Sequence, residues 1–120
     1  MQIMFESSEE DPDVPGLGLI PGSVRRFRTR ELKVPHMGWN NLDVRPDSRL
    51  LAGLGSSPYV YFVHSFYVLP EDKAVAAADS TYGERFVAAI ERENVMGTQF
   101  HPEKSQDTGL RILRNFATLA

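Results

Sequence analysis

The stretch GTQFHPEKS, residues 97–105, sets His101 and Glu103 two positions apart with Pro102 between them. A carboxylate bonded to one imidazole nitrogen fixes the ring's tautomer and stabilises its charged form. The other nitrogen is then free to take a proton from a nucleophile. His101 and Glu103 are therefore candidate acid–base residues. Proline disfavours the helical region for the residue before it, which predicts extended backbone at His101. In extended chain, residues i and i+2 point to the same side, so Glu103 can reach back to the ring. The same pair also fits a plain polar loop at a strand end. A metal reading would add His36 or His64 to the pair, although nothing in the spacing favours it. The chain has no cysteine and no serine in a Gly-x-Ser-x-Gly elbow. No nucleophile for this histidine is evident within it.

The elements that must hold this pair are legible mainly in the second half. YVYFVH (59–64) is rich in β-branched and aromatic residues and predicts a strand buried on both faces. Residues 73–79 and 85–91 predict two strands joined through STYG as a hairpin, and 94–100 a further strand. From Ser105, a natural N-cap, the period changes. Leu110, Leu113, Phe116, Ala117 and Ala120 recur at three and four, as on one face of a helix. The candidate pair thus falls between a strand end and a helix start, where α/β proteins place their sites. In the first half, residues 1–8 read as a helix end and 11–22, rich in proline and glycine, as a loop. A strand is predicted around 24–27, a short extended piece near 32–34 and an extended segment over 36–44. Residues 47–54 predict a short helix capped by Asp47 or Ser48. The five basic residues of 25–33 read as a solvated edge strand. Together the elements predict an α/β sheet covered by helices.

With 120 residues the chain has the length of one small domain. Its net charge of −3 argues against a nucleic-acid binder. No apolar run reaches the roughly 18 residues of a membrane-spanning helix. The first residues lack the basic and apolar regions of a signal peptide. A soluble cytoplasmic protein is the expectation.

GTQFHPEKS is similar to the His/Glu signature of the class I glutamine amidotransferases, a family with a Cys-His-Glu triad. MQIMFESSEE (1–10), VPGLGLIPGSVRRF (14–27), VPHMGWN (34–40) and YVYFVHSFY (59–67) resemble one branch of it. That branch is the glutaminase subunits of imidazole glycerol phosphate synthases, of histidine biosynthesis. The glutaminase parts of GMP or anthranilate synthases would share HPE but not PHMGWN.

The resemblance implies a class I amidotransferase-like mixed sheet flanked by helices and incomplete at the N-terminus. Residues 1–120 would be the C-terminal portion of a single amidotransferase domain. The family's nucleophile lies in a Gly-x-Cys-x-Gly-x-Gln turn whose last two letters match Met1 and Gln2. The cysteine would then lie upstream of Met1, and the chain alone would be inactive, or at most a docking fragment.

For the whole glutaminase the resemblance implies that a thiolate attacks the glutamine carboxamide, with His101 as base and then acid, oriented by Glu103. Ammonia would pass to a (β/α)8-barrel synthase partner that forms a heterodimer with it, and no metal or organic cofactor is implied. Gln2, Ser65 and Phe66 match glutamine-binding positions, with Phe66 standing where the family often has tyrosine. Trp39, Asn40, Tyr61, His64 and Lys104 match positions facing the synthase. Alternatively Trp39 and Tyr61 are core aromatics, His64 a satisfied histidine at a strand end, and Gln2 a frayed terminal residue. Uncovered apolar strands at 59–64 and 94–100 would make the isolated chain poorly soluble.

Overall fold

The computed structural model describes residues 1–55 and 57–119. The expected helix position Ala120 lies outside them. The strands are β1 Ser7–Ser8, β2 Gly22–Arg26, β3 His36–Asn41, β4 Asp43–Val44, β5 Tyr59–His64, β6 Phe66–Pro70, β7 Ala76–Tyr82, β8 Glu84–Arg92 and β9 Val95–Thr98. The helix α1 is Gln106–Leu119, and single 3-10 turns occupy Gln2–Met4, Lys73–Val75 and Pro102–Lys104. The main sheet runs β1-β2-β6-β8-β7-β4, with β9 also on β8, while β3 and β5 form a separate antiparallel pair. β1 and β2 are parallel and their neighbours antiparallel, so the architecture is mixed α/β.

β8 organises the sheet. β7 takes one edge along most of its length. The other edge is divided: Val87 faces Val68 of β6, and Ala89 to Arg92 face Thr98 to Val95 of β9. Carried two residues further, the β6 register would set Phe66 opposite Ala89, a place Thr98 already holds. The start of β6 and the end of β9 must therefore part, and the sheet forks there.

Burial follows the pleat. On β6, Tyr67 packs into a core with Phe27, Phe62, Phe86, Ala88, Phe100 and Ile112. Its neighbour Val68 packs on the opposite side with Phe5, Ile20, Val24 and Ile90. With both faces covered, β6 shows no polar alternation, so the period that marks a half-buried strand is missing.

Four expectations need correction. β5 alternates exposed or half-buried with buried residues and stands in the two-stranded sheet, so it is covered on one face only. Its remaining edge is not bare, because Tyr61 bonds through its backbone to His101 and Ser105. Residues 47–54 form turns rather than a helix. The buried Glu91 carboxylate accepts the Ser48 hydroxyl at 2.8 Å and the Arg49 and Leu50 N–H groups at 3.2 and 3.1 Å, and Gly53 takes a positive φ of 82°. Residues 32–34 form bends at Leu32 and Val34 and no strand. Finally, β2 is not an edge: it lies between β1 and β6, with Arg25 held on the Tyr67 hydroxyl.

Candidate active site

His101 leaves the sheet just beyond β9 in extended backbone, φ −100° and ψ 99°. Pro102 opens the following 3-10 turn, where its fixed φ suits the first helical position. This turn, rather than an extended run, swings Glu103 back. Its Oε1 lies 2.8 Å from His101 Nδ1. Nδ1 donates to the carboxylate, which leaves Nε2 as the acceptor. The backbone N–H of Glu103, and then the His101 ring, hold this carboxyl below its ordinary pKa.

The backbone of His101 is clamped on both sides by Tyr61. Its N–H donates to the Tyr61 carbonyl at 2.9 Å. The Ser105 hydroxyl donates to the His101 carbonyl at 2.7 Å and accepts the Tyr61 N–H at 3.0 Å. Ser105 is only 1% exposed. Its carbonyl accepts the Gly109 N–H at 3.1 Å, but its hydroxyl serves the loop instead of capping α1. Gly109 is the other silent partner. A Cβ there would sit 1.7 Å from the Pro102 carbonyl oxygen, so only glycine lets the helix approach the turn this closely.

The fork between β6 and β9 opens a cleft of about 610 Å³. Gln2, His64, Ser65, Phe66, Gln99 and His101 line it. Gln2 is not frayed: its Nε2 donates to the Phe66 carbonyl at 3.0 Å and to Gln99 Oε1 at 2.9 Å. Both amide hydrogens are used and its own carbonyl oxygen remains. Gln2, the Ser65–Phe66 segment and His101 thus meet at one opening, although up to 99 positions separate them, and Glu103 reaches it only through the His101 ring.

Of the five residues expected to face a partner, four divide between two faces of the β3–β5 pair, and Lys104 lies in the Pro102–Lys104 turn. Trp39 and Tyr61 are register partners in an edge-on contact with ring centroids 6.0 Å apart. They share the outer face with Met37 and Tyr59, and Trp39, Met37 and Tyr59 are 48%, 62% and 60% exposed. They are not core aromatics. Asn40 is one step out of phase with Trp39, and in a strand that turns its side chain to the opposite face. It donates to the Thr81 carbonyl at 2.8 Å and to His36 Nε2 at 3.3 Å. His64 is 6% exposed with both ring nitrogens engaged, so it is the satisfied histidine and not a surface contact. Lys104 is exposed beside Glu103.

Sequence reasoning missed Gln99, Ser105, Gly109 and His36 as parts of this arrangement. Gln99 has a signal in hindsight, since residues 99 and 101 share a side of an extended chain. Among the described residues no group of three or more His, Asp or Glu could hold a metal ion. No helix among them is long and apolar enough to cross a membrane.

Comparison with known proteins supplies the relationship. A family profile described as glutamine amidotransferase class-I matches residues 1–120. The imidazole glycerol phosphate synthase subunit HisH of Syntrophotalea carbinolica is 52% identical over 99% of this chain and 61% of its own. The protein of the same name in Deinococcus radiodurans is 53% identical over 97% of this chain and 54% of its own. The chain therefore spans little more than half the length of these relatives. A solved structure from Thermoplasma acidophilum, assigned to a GMP synthase, superposes with a TM-score of 0.66 at 25% identity, covering 82% of this chain and 48% of that one. A solved glutamine amidotransferase shares the fold, with a TM-score of 0.64 at 21% identity over 97% of this chain and 54% of that one. The profile match over the whole length and the identity to the two HisH proteins place the chain in the class-I glutamine amidotransferase family.

Proposed function

We propose that this chain supplies the acid–base pair and the substrate cradle of a glutaminase that feeds ammonia to imidazole glycerol phosphate synthesis. In this reading residues 1–120 are the C-terminal portion of one amidotransferase domain. The observation that carries it is the convergence of Gln2, Ser65, Phe66 and the Glu103-bound His101 on a single cleft. His101 Nε2 takes the proton of a cysteine thiol, and Glu103 steadies the imidazolium that forms. The thiolate attacks the glutamine carboxamide carbon. His101 returns the proton to the leaving nitrogen, ammonia departs, and water hydrolyses the remaining thioester. The 120 residues hold no cysteine, so the thiol comes from sequence beyond them. Gln2 and Ser65–Phe66 bind the amino-acid end of glutamine.

A (β/α)8-barrel synthase partner docks on the outer face of β3 and β5. Exposed Trp39, Met37 and Tyr59 support this, since aromatic residues and methionine are enriched at interfaces. Lys104, next to the acid–base pair, lies at the rim of that contact.

To test the reading, residues 1–120 are joined behind the remaining amino-terminal part of the Syntrophotalea carbinolica relative. Glutamate release from glutamine is then followed with and without that organism's synthase partner. Turnover that falls by about 10²- to 10⁴-fold in His101→Ala is the expected result. A well-folded chimera that neither binds nor hydrolyses glutamine would overturn the assignment.

A further inference from the structure

Behind the cleft, two buried histidines join in a hydrogen-bonded series with only one self-consistent placement of protons. It is read from its far end. The Phe66 carbonyl can only accept, and His64 Nδ1 lies 2.8 Å from it, so Nδ1 carries the hydrogen. Nε2 of a neutral His64 is then bare. It lies 3.0 Å from His36 Nδ1, which must therefore be the donor. His36 Nε2 is bare in turn and accepts from the Asn40 amide at 3.3 Å. The other amide hydrogen of Asn40 is held by the Thr81 carbonyl at 2.8 Å. Every donor thus meets an acceptor, and moving any one proton would oppose two donors or two lone pairs. Burial keeps both rings neutral, with each pKa lowered to about 4.

The series ends where the cleft begins. Phe27 N–H bonds the Ser65 carbonyl at 3.0 Å, so Ser65 faces β2. Phe66, next in the antiparallel ladder, turns its N–H and C=O away from β2 toward the cleft. Its carbonyl is taken twice, by His64 and by Gln2 at 3.0 Å. Its N–H faces the cleft, where it can donate to an anionic group, such as the carboxylate of an amino acid.

We propose that His64, held in its Nδ1–H form by His36, is a positioning residue that locks the Phe66 peptide so that its N–H points at the bound substrate. This rests on the glutaminase reading. His64 touches no reacting atom and acts only through the backbone it holds.

The test uses the same chimera with ¹⁵N-labelled histidine. Long-range ¹H–¹⁵N spectra at neutral pH report which ring nitrogen carries hydrogen. Nδ1–H is expected at both His36 and His64. Either ring in the Nε2–H form overturns the proposal. Kinetics give the second readout. His64→Ala should raise KM for glutamine about tenfold or more and change kcat far less, as expected when ground-state binding is lost. His64→Asn, whose amide nitrogen falls near the place of Nδ1, should recover most of that loss, and His64→Gln should not. An unchanged KM in His64→Ala, or equal rescue by both amides, would also overturn it. If a variant fails to fold, the spectrum of the unmodified protein still decides. Absence of glutamine turnover in the unmodified chimera with both rings Nδ1–H would sink the glutaminase reading instead.

Discussion

The Ser105 hydroxyl donates to the carbonyl of His101 at 2.7 Å, and the same oxygen accepts the Tyr61 N–H at 3.0 Å. One buried hydroxyl therefore joins the proposed base to β5, whose outer face sets Tyr61 beside Trp39 of β3. Ser105→Ala leaves the Tyr61 N–H without its partner, while the His101 carbonyl keeps only the Lys104 N–H at 3.0 Å. The expected cost is about 1–3 kcal/mol of stability, read from the midpoint of denaturant unfolding. Glutamine turnover in the chimera should fall as well, and Ser105→Thr should restore it more than Ser105→Val. Full turnover in Ser105→Ala would show that the clamp does not matter to His101.

Gly109→Ala gives a test in which propensity and packing predict opposite signs. Alanine in a helix interior is favoured over glycine by about 1 kcal/mol. Here its Cβ would lie 1.7 Å from the Pro102 carbonyl oxygen. We expect net destabilisation of about 1–3 kcal/mol as the turn is pushed off α1, together with loss of turnover because His101 and Glu103 move. Thermal unfolding reads the first effect. A raised Tm would mean the helix and turn are not in contact as described.

Acid should loosen the cleft before it unfolds the sheet. His36 and His64 have folded pKa values lowered to about 4 by burial, against an ordinary 6.5. The unfolded chain binds more protons between these values, so stability contributed by the neutral rings is present above about pH 6.5 and is lost as pH falls toward 4. For one histidine the loss is on the order of 3 kcal/mol. Unfolding free energy measured from pH 7 to 4 should slope downward, and His36→Asn should flatten the slope. Glu103, lowered in the folded state, acts with the same sign: its share is lost as pH falls through its folded pKa.

The two faces of β5 should answer differently to truncation. Phe62 is fully buried between His36, Phe86 and Phe100, and Phe62→Ala should cost about 3–5 kcal/mol of stability. Trp39→Ala, on the outer face, should leave stability within about 0.5 kcal/mol. It should instead weaken capture of the synthase partner by about 2 kcal/mol, roughly 30-fold in Kd. Titration calorimetry would show this, and an unchanged Kd would remove Trp39 from the proposed contact.

The parts of the fold that follow local rules are readable from the sequence. The β7–β8 hairpin, β5, β9 and α1 announce themselves by residue type or by period. β6 does not, because it is buried on both faces and ends at Pro70, leaving a short apolar run without alternation. The turns at 47–54 resemble a helix in sequence because the Glu91 carboxylate that captures their N–H groups lies on a distant strand. The proposed site divides in the same way. His101 and Glu103 are adjacent enough to be seen as a pair. Ser105 and Gly109 look like ordinary helix-start residues, and their roles appear only once Tyr61 and Pro102 are set beside them. Asn40 and Trp39 fall on opposite faces through the strand period alone, which a letter-by-letter likeness does not reveal.

At Ala89 two strands reach for one place on β8, and neither continues past it. The opening this leaves is written into the backbone, so it survives exchange of the side chains around it. Selection can therefore revise what the cavity prefers, by altering Ser65, Phe66 or Gln99, while the scaffold that keeps it open stays as it is.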